Sequence, residues 1–527
     1  MTQPLERRIV AGLISALLGT AIVFRTMSLS SVPGVNGDEA WWGIQALAWL
    51  SGQPYERHNT SGNPIDLFYL VPLAFAHAVA RPSFFLLRAL PALVNLLALP
   101  VAFWFVRRLY GSTTAWIHTI ALAILPAAIA HGRICQDPSQ TVFWTGVFIY
   151  LCLLGLEPGT RGWFPLVAAV CVYPVVLWTH PTNIFIAPFL VLPFVAAAGL
   201  LPPTPTRGRA LLILAAGLVV MLPSLAWIAL RNAAASNELV DKPWLSIATA
   251  RLIDGGQWFE FAANNARLFN GVTVYHYFSG ARPATWAYDA AFVAVALVLL
   301  AGFLWTLASN RSRLDYGLIA ACTMTWIVFF VFAGPDALRP HFERWGLCLL
   351  VPGTLVLARG LSAWIDWRPA WRLMTIGVAT LVAVAVLGSF YVNYFREFAT
   401  SGGRSHLSYT TAPIEPKQRT LELILHQRPG PGRVVVVARQ WWLFWPIAYL
   451  ASQHPHVSVS MKLDVERQPD FAQALQEGSV FLVEFAGTPE LADAQAWILD
   501  RGLRSATTTI TDASGRGLVE VLQVSAR

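Results

Sequence analysis

Acidic side chains that could carry chemistry stand at two points of the sequence, each beside an apolar stretch. Asp38 and Glu39 follow Asn36, and Asp137 closes a turn that begins at His131. A carboxylate where the chain re-enters a membrane interface needs a compensating partner, so such residues more often mark function than structure. A raised pKa would make Asp38 a general base, and a divalent cation would use Asp38 and Asp137 as ligands. The alternative is that both residues only cap helices.

Basic side chains near the same segments could contact a phosphate or a sugar. The candidates are Arg57, His58, Arg88, Arg339 and His341. Arg57 and His58 could instead belong to an ordinary loop, and the Arg88 side chain could snorkel to the interface. Arg339 and His341 could instead belong to a self-neutralised charge cluster.

The composition excludes an ordinary soluble protein. Of 527 residues, 56% are hydrophobic and only 13% are charged, and the mean hydropathy is +0.53. The net charge of +8 does not indicate nucleic-acid binding, because the arginines are scattered among loop ends. The five cysteines form no CxxC pair, so a disulfide framework or a zinc site is not indicated.

Apolar blocks of spanning length predict a polytopic α-helical membrane protein. The first block, 9–27, is predicted to be an uncleaved signal anchor with its N-terminus in the cytoplasm. Block 65–80 begins at Asp66 and is short, so we expect it to lie on or dip into the outer surface. About eleven spans remain: 9–27, 84–106, 112–131, 139–156, 163–180, 183–200, 209–230, 287–308, 315–333, 343–362 and 371–392.

The positive-inside rule orients these spans, because the arginine-rich connections then face the cytoplasm. Loops 28–83 and 231–286, turns 132–138 and 334–342, and the C-terminus are all predicted on the non-cytoplasmic face. The stretch Asp38 to Leu50 is predicted to be a helix in the outer interface.

The last part of the chain, 395–527, reads as a separate soluble α/β domain with a partly parallel sheet. The run Trp441 to Trp445 is too aromatic for a free surface, so it is expected in a core or against the membrane. Strands are predicted at 432–438, 456–461 and 479–486, helices at 415–427, 441–452, 469–477 and 489–501, and a hairpin at 505–524.

The order of these features resembles the GT-C superfamily, and more narrowly the protein O-mannosyltransferase and aminoarabinose-transferase-like families. Stretch 37–112 carries most of the resemblance: an Asp-Glu pair after one span, a polar strip, and Arg88-Ala-Leu-Pro-Ala-Leu opening a span that ends Arg107-Arg108-Leu-Tyr-Gly. The turn 131–137 with 140–143 is similar to the family's second acidic turn.

The resemblance implies a transferase that takes a sugar from a polyprenyl-phosphate donor on the non-cytoplasmic face. Asp38 would be the catalytic acid, with Glu39 supporting it and Asp137 completing the site. Arg88 and Arg133 would contact the donor phosphate or support the structure near it. A divalent metal is used by part of the superfamily only. The catalytic domain would be 1–394, followed by a periplasmic domain at 395–527.

The envelope acceptor would be a lipid, a glycan or a protein, and the lipid bilayer of a bacterial inner membrane is the expected location. A transporter or flippase for a lipid-linked glycan is one alternative, although no repeat is evident in the sequence. A non-catalytic envelope assembly protein is another. No Walker loop, GxSxG, HExxH or GxGxxG motif supports a cytosolic nucleotide site, so the substrate would arrive preactivated.

Overall fold

Helices make up most of the described part of the chain as far as residue 401, and a small α/β domain follows. The computed structural model describes residues 3–60, 62, 65–156, 163–195, 244–310, 312–367, 369–428, 432–463 and 471–526. Up to residue 195, the described helices of six residues or more are α1 (Gln3–Thr26), α2 (Gly37–Leu50), α3 (Leu67–Val79), α4 (Phe84–Tyr110), α5 (Ser112–Ile124), α6 (Pro126–His131), α7 (Thr141–Leu154), α8 (Trp163–Thr179) and α9 (Pro188–Val195).

Later helices are given by their bounds. They span Trp244–Ile253, Gly255–Asn270, Thr285–Asn310, Arg313–Phe332, Leu350–Trp367, Arg372–Phe390, Pro416–Gln427, Trp441–Ala451, Phe471–Gln476 and Pro489–Asp500. Short 3₁₀-helical segments occupy Asp137–Gln140, Pro181–Ile186, Pro335–Leu338 and Glu343–Leu349, and π-helical segments occupy Tyr275–Ser279 and Tyr391–Arg396.

Six helical stretches within the described ranges are long and apolar enough to cross a membrane by length and composition. Four shorter apolar helices lie among them, at Leu67–Val79, Ser112–Ile124, Phe164–Thr179 and Pro181–Leu192. The six are Arg8–Thr26, Phe84–Tyr110, Thr285–Ser309, Arg313–Phe332, Glu343–Trp367 and Arg372–Ser401.

The predicted helical architecture with several candidate membrane spans is therefore confirmed, but the count of eleven spans stays a prediction. The expected span 112–131 is divided, because α5 ends at Ile124 and Pro126 starts α6. The expected span 209–230 lies outside the described residues. The last apolar stretch continues as helix to Ser401, past the predicted boundary at 394.

The N-terminus of helix α2 is stabilised by two reciprocal hydrogen bonds in its first turn. The Asn36 side chain accepts a hydrogen bond from the Asp38 amide at 3.0 Å, and the Glu39 carboxylate accepts one from the Asn36 amide at 3.0 Å. This reciprocal arrangement is a capping box. The helix was predicted to lie in the membrane interface, but most of its residues are buried inside the protein.

The C-terminal domain contains a five-stranded mixed sheet with strand order β2-β1-β3-β5-β4. Strands β2, β1 and β3 pair in parallel, and β5 pairs antiparallel with β3 and β4. The all-buried sequence of β1, four valines, is typical of a central parallel strand. The partly parallel sheet and the hairpin were both predicted. The strands are β1 (Val434–Val437), β2 (Val457–Ser460), β3 (Val480–Phe485), β4 (Arg504–Thr511) and β5 (Gly517–Ser525).

The helix Trp441–Ala451 packs directly on α2, so its aromatic run lies half-buried against a core of the protein, in agreement with the first of its two predicted positions. A Cβ on Gly37 would lie 2.6 Å from the Trp441 ring, and one on Gly43 would lie 2.5 Å from the Tyr449 ring. Only glycine permits so close an approach. The C-terminal domain therefore covers the same helix that carries Asp38.

Candidate active site around Asp38 and Asp137

Asp38 lies in the first turn of α2 and is partly exposed. Its Oδ1 accepts a hydrogen bond from the Trp441 indole at 3.0 Å. Burial raises the pKa of this carboxyl, while the indole, the Arg344 guanidinium and the Thr60 hydroxyl each oppose that rise. A carboxylate with a raised pKa can accept a proton from a bound hydroxyl.

Asp137 begins a short helical turn across from α2. Its two oxygens accept hydrogen bonds from the Trp42 indole, at 3.2 Å, and from the Asn59 amide. Burial is the main cause that raises the pKa of Asp137, and the charge of Asp38 adds to it. The two predicted catalytic carboxylates are thus electrostatic neighbours, joined through α2 and the polar strip of the first loop.

Asp66 is a third acid of this cluster, and it was not among the predicted site residues. Its Oδ1 caps α3 by accepting a hydrogen bond from the Phe68 amide at 2.9 Å. Its Oδ2 is buried and has no hydrogen-bond partner among the described residues. Burial, with Asp137 as the next cause, raises the pKa of Asp66 to about 7. The N-cap is visible in the sequence, but the proximity to Asp137 is not.

Glu39 and Arg88 form a fully buried ion pair. Arg88 donates from Nε and Nη2 to the Glu39 carboxylate, at 2.7 and 2.6 Å. Its remaining hydrogens go to the backbone carbonyls of Leu29, Pro33 and Gly34, at 2.7 to 3.1 Å. All five guanidinium hydrogens therefore have protein acceptors. This geometry favours a positioning role for Arg88 over the predicted phosphate contact.

Arg133 is also buried and holds the end of α1 to the acidic turn. Its Nη2 donates to the carbonyls of Met27 and Val32, at 2.6 and 2.9 Å, and its Nη1 donates to the carbonyl of Phe24. Arg133 was expected either to contact the donor phosphate or to support the structure near it, and these contacts agree with structural support.

Arg344 is a cation that the sequence reading did not select individually. It is partly exposed, and it stabilises the ionised form of Asp38. The aromatic hydroxyls of Tyr277 and Tyr409 share its surroundings. Within the described parts of the chain, its guanidinium makes no hydrogen bond or ion pair with a protein group. Its donors therefore remain available to a ligand beside Asp38.

The other predicted binding residues lie on exposed parts of the loops. Arg57 and His58 are exposed, and the buried neighbour Asn59 is the residue that reaches Asp137. Arg339 donates to Glu260 at 2.5 Å and pairs with Asp336 at 2.9 Å, so it is occupied away from the acids. His341 is exposed and packs edge-on against the Tyr277 ring.

The carboxylates fit hydrogen-bond donors better than they fit a metal ion. Among the described residues, no three His, Cys, Asp or Glu side chains are grouped as a metal site would require. Indole and amide N–H groups already contact Asp38 and Asp137. Metal use was left open by the sequence, with Asp38 and Asp137 named as the ligands of any cation, and the described residues place no third such ligand with them in a metal-binding group.

Comparison with known proteins was informative only at the level of structure. No protein-family model and no curated protein matches the sequence. ArnT from Cupriavidus metallidurans in the apo state matches with a TM-score of 0.55 at 13% identity, covering 98% of each chain. The same protein bound to undecaprenyl phosphate matches at 0.52, with 13% identity and coverage of 97% of this chain and 98% of that one. The oligosaccharyltransferase of Archaeoglobus fulgidus in the apo form matches at 0.52 and 14% identity, covering 90% and 69%.

These solved structures are GT-C superfamily members. The chain has the GT-C fold. The predicted resemblance is confirmed at the level of the fold, and the alignment with ArnT extends over the C-terminal domain as well as the helices.

Proposed function

We propose that this protein is a membrane glycosyltransferase that moves a sugar from a polyprenyl-phosphate donor to an envelope acceptor. The observation that carries the proposal is Asp38, a carboxylate with a raised pKa that shares its surroundings with Arg344, an arginine without a protein partner in the described chain. The GT-C fold and a neighbour captured with undecaprenyl phosphate support the class of donor.

In the proposed reaction, Asp38 takes the proton from an acceptor hydroxyl as that oxygen attacks the anomeric carbon of the sugar. The bond between the anomeric carbon and the phosphate oxygen breaks, and its electron pair stays on the polyprenyl phosphate. Arg344 stabilises the negative charge that develops on that leaving oxygen. Attack opposite the leaving group inverts the anomeric centre. Because the phosphate is already a good leaving group, no general acid is required.

The remaining residues would position these groups. Asp137 holds Asn59 and Trp42 around the acceptor side of Asp38, and the Glu39–Arg88 pair fixes the first turn of α2. Trp441 of the C-terminal domain orients the Asp38 carboxylate through its indole. On this proposal, the C-terminal domain contributes to the active site.

The proposal places the reaction on the non-cytoplasmic face of a bacterial inner membrane, with a lipid, a glycan or a protein as acceptor. The Archaeoglobus oligosaccharyltransferase has been solved in complex with Zn and sulfate, with a TM-score of 0.50. The donor set around Asp38 does not reproduce a metal site in the described residues. No step of the proposed reaction uses a metal ion.

The test is transfer from radiolabelled undecaprenyl-phosphate sugars to an envelope extract by the purified full-length protein. Asp38→Asn should reduce transfer at least about 100-fold, since removing a general base typically costs two to four orders of magnitude. Asp500→Asn makes the same change at an exposed helix end and should transfer normally. Equal transfer by the Asp38 variant would remove this residue from the mechanism, and no transfer by the wild type would favour transport or assembly.

A further inference from the structure

A narrow apolar cavity of about 310 Å³ lies among the membrane helices, at the end of the bundle away from the acid cluster. It is enclosed by α5 and by parts of α1 and of the helices Leu350–Trp367 and Arg372–Phe390. The opposite end of α1 meets the acidic turn, because the Arg133 guanidinium donates to the Phe24 carbonyl there. The same guanidinium lies over the ring of Phe395, just beyond the helix Arg372–Phe390, at 5.0 Å from the ring centroid. None of the groups proposed for sugar transfer lines the cavity.

The cavity changes from apolar and buried to polar and exposed along its length. At its closed end, Leu17, Ile124 and Ala383 are buried, with at most 9% of each residue exposed. At its mouth, Ser112 and Arg372 are exposed. This gradient matches an amphiphile that places an apolar chain inside and a polar head at the mouth.

The length of the cavity corresponds to one leaflet of a bilayer. Its lining follows α5 from Ser112 to Ile124, which are about 18 Å apart at a rise of about 1.5 Å per residue. Half of a hydrocarbon core of about 30 Å is about 15 Å. A volume of about 310 Å³ spread over this length leaves a slot that fits a single linear chain better than a compact ligand.

The mouth of the cavity favours an anion. Among the described residues of the lining, Arg372 carries the one charge, and that charge is positive. Helix α5 and the helix Arg372–Phe390 both begin at this mouth, and neither has a side-chain hydrogen bond that caps its first turn. The amide groups of such a turn and the helix dipole attract negative charge.

An ion pair behind the cavity holds the wall formed by α5 and the helix Leu350–Trp367. Arg359 of that helix donates from Nε and Nη2 to the Asp315 carboxylate, at 2.8 and 2.7 Å. Its guanidinium also lies over the Tyr110 ring, 4.7 Å from the centroid. Tyr110 directly precedes Gly111, from which α5 starts. This wall is therefore fixed by protein contacts before any ligand binds.

We propose that the cavity holds one acyl chain of an anionic phospholipid, with the lipid phosphate beside Arg372 at the mouth. The positive-inside rule predicts this end of the bundle in the cytoplasmic leaflet, because Arg107 and Arg108 precede α5 at the same end. That leaflet is rich in anionic lipids, and basic pockets between membrane helices on this side bind their head groups. The bound chain packs between α1 and the helix Arg372–Phe390, and its binding does not depend on the proposed transferase activity.

The first test measures the charge preference of the site on the full-length protein in detergent. Dioleoyl phosphatidylglycerol or dioleoyl phosphatidylcholine is titrated in, and bound lipid is counted by native mass spectrometry. The wild type should bind one phosphatidylglycerol about 5-fold more tightly than phosphatidylcholine, the effect expected of one arginine beside an anionic head group. Arg372→Gln should remove this preference.

Arg107→Gln is the control, because it removes an exposed arginine at the same end of the bundle that does not line the cavity. Its preference for phosphatidylglycerol should equal that of the wild type. Equal affinity of the wild type for the two lipids, or an unchanged preference in Arg372→Gln, would overturn the proposal.

The second test fills the slot. Ala379 lines the cavity, so Ala379→Trp should weaken phosphatidylglycerol binding at least about 10-fold by occupying the space of the chain. Ala385→Trp makes the same change at an exposed position of the same helix, outside the cavity, and should bind like the wild type. Wild-type affinity in Ala379→Trp would place the chain elsewhere and contradict the proposal.

Photolabelling of the wild type locates the chain without relying on the folding of a variant. Phosphatidylglycerol that carries a diazirine midway along one acyl chain should label peptides within 10–17, 113–124 and 376–383. Labelling confined to other helices would refute the assignment. An excess of undecaprenyl phosphate should leave the labelling unchanged, and its loss would assign the slot to a polyprenyl chain in place of a phospholipid.

Discussion

Two polar regions meet at the first turn of α2, and they differ in how completely their hydrogen bonds are satisfied. The closed region is the pair Arg88 and Glu39, which are fully buried, and every guanidinium hydrogen of Arg88 has a protein acceptor. The open region contains Asp38, Asp66 and Arg344. There, Asp66 has a buried oxygen without a partner in the described chain, and Arg344 has no protein acceptor in the described chain. Closed networks of this kind hold a fold, whereas open ones are available to a substrate. Adjacent residues in the sequence, Asp38 and Glu39, fall on opposite sides of this division.

Breaking the closed region should have the largest effect on stability. Arg88→Met leaves Glu39 as a buried charge without its partner, which typically costs about 3–5 kcal/mol of unfolding free energy. We expect a large decrease in the thermal unfolding midpoint of the detergent-solubilised protein, measured by intrinsic tryptophan fluorescence. The matched variant Arg88→Lys keeps a charge and should lose less. An unchanged midpoint in Arg88→Met would mean that the pair does not hold α2.

The open region should give the protein a pH-dependent stability through Asp66. Its pKa is about 7 in the folded state, against an ordinary value of 3.8, so folding disfavours its ionised form. The stabilisation is complete below about pH 4 and is lost as the pH rises through about 7, by up to about 4 kcal/mol. Asp66→Asn keeps the α3 cap and should remove most of this dependence.

Thermal midpoints of the wild type and Asp66→Asn between pH 4 and pH 8 measure this effect. Asp137 has a raised pKa for the same reason, so a slope of the same sign should remain in the variant. Parallel curves for the two proteins would show that Asp66 does not titrate in this range.

Arg344→Met sharpens the comparison by removing the cation of the open region. If Arg344 stabilises the leaving phosphate, kcat for sugar transfer should fall about 100-fold, as observed when one donor to a developing charge is removed. The unfolding midpoint should change little, since no protein group loses a hydrogen bond. Arg344→Lys keeps the charge without the paired donors and should retain part of the activity. A normal kcat in Arg344→Met would assign the leaving group to another residue.

The sequence predicted what depends on local pattern. A helix starting near Asp38 was predicted with Asp38 as its possible cap, but the observed N-cap is Asn36, which forms a capping box with Glu39. Strand β1 was predicted from its run of valines. The pairing of Arg88 with Glu39 was not predictable, because tertiary packing joins residues 49 positions apart. The same holds for Trp441 and Asp38, which are separated by 403 positions. Arg88 was consequently predicted as a phosphate ligand, Arg344 was considered only as a member of the charge cluster 339–344, and Asp66 was not selected.

The smallest effect expected comes from the contact between the C-terminal domain and Asp38. The Trp441 indole favours the ionised carboxylate, so Trp441→Phe should raise the pKa of Asp38 further. Since the base must be ionised, the acidic limb of the pH profile for kcat/KM should move to higher pH. Loss of one hydrogen bond to a charged group corresponds to about a 10-fold decrease in rate on that limb.

Trp445→Phe is the matched control, because it lies on the same helix and its indole nitrogen has no hydrogen-bond partner in the described chain. Its pH profile should coincide with that of the wild type. If Trp441→Phe lowers the rate equally at all pH values, the indole packs against α2 without tuning the carboxylate. If only the acidic limb moves, the C-terminal domain tunes the base directly, and the open region of the site extends across both parts of the chain.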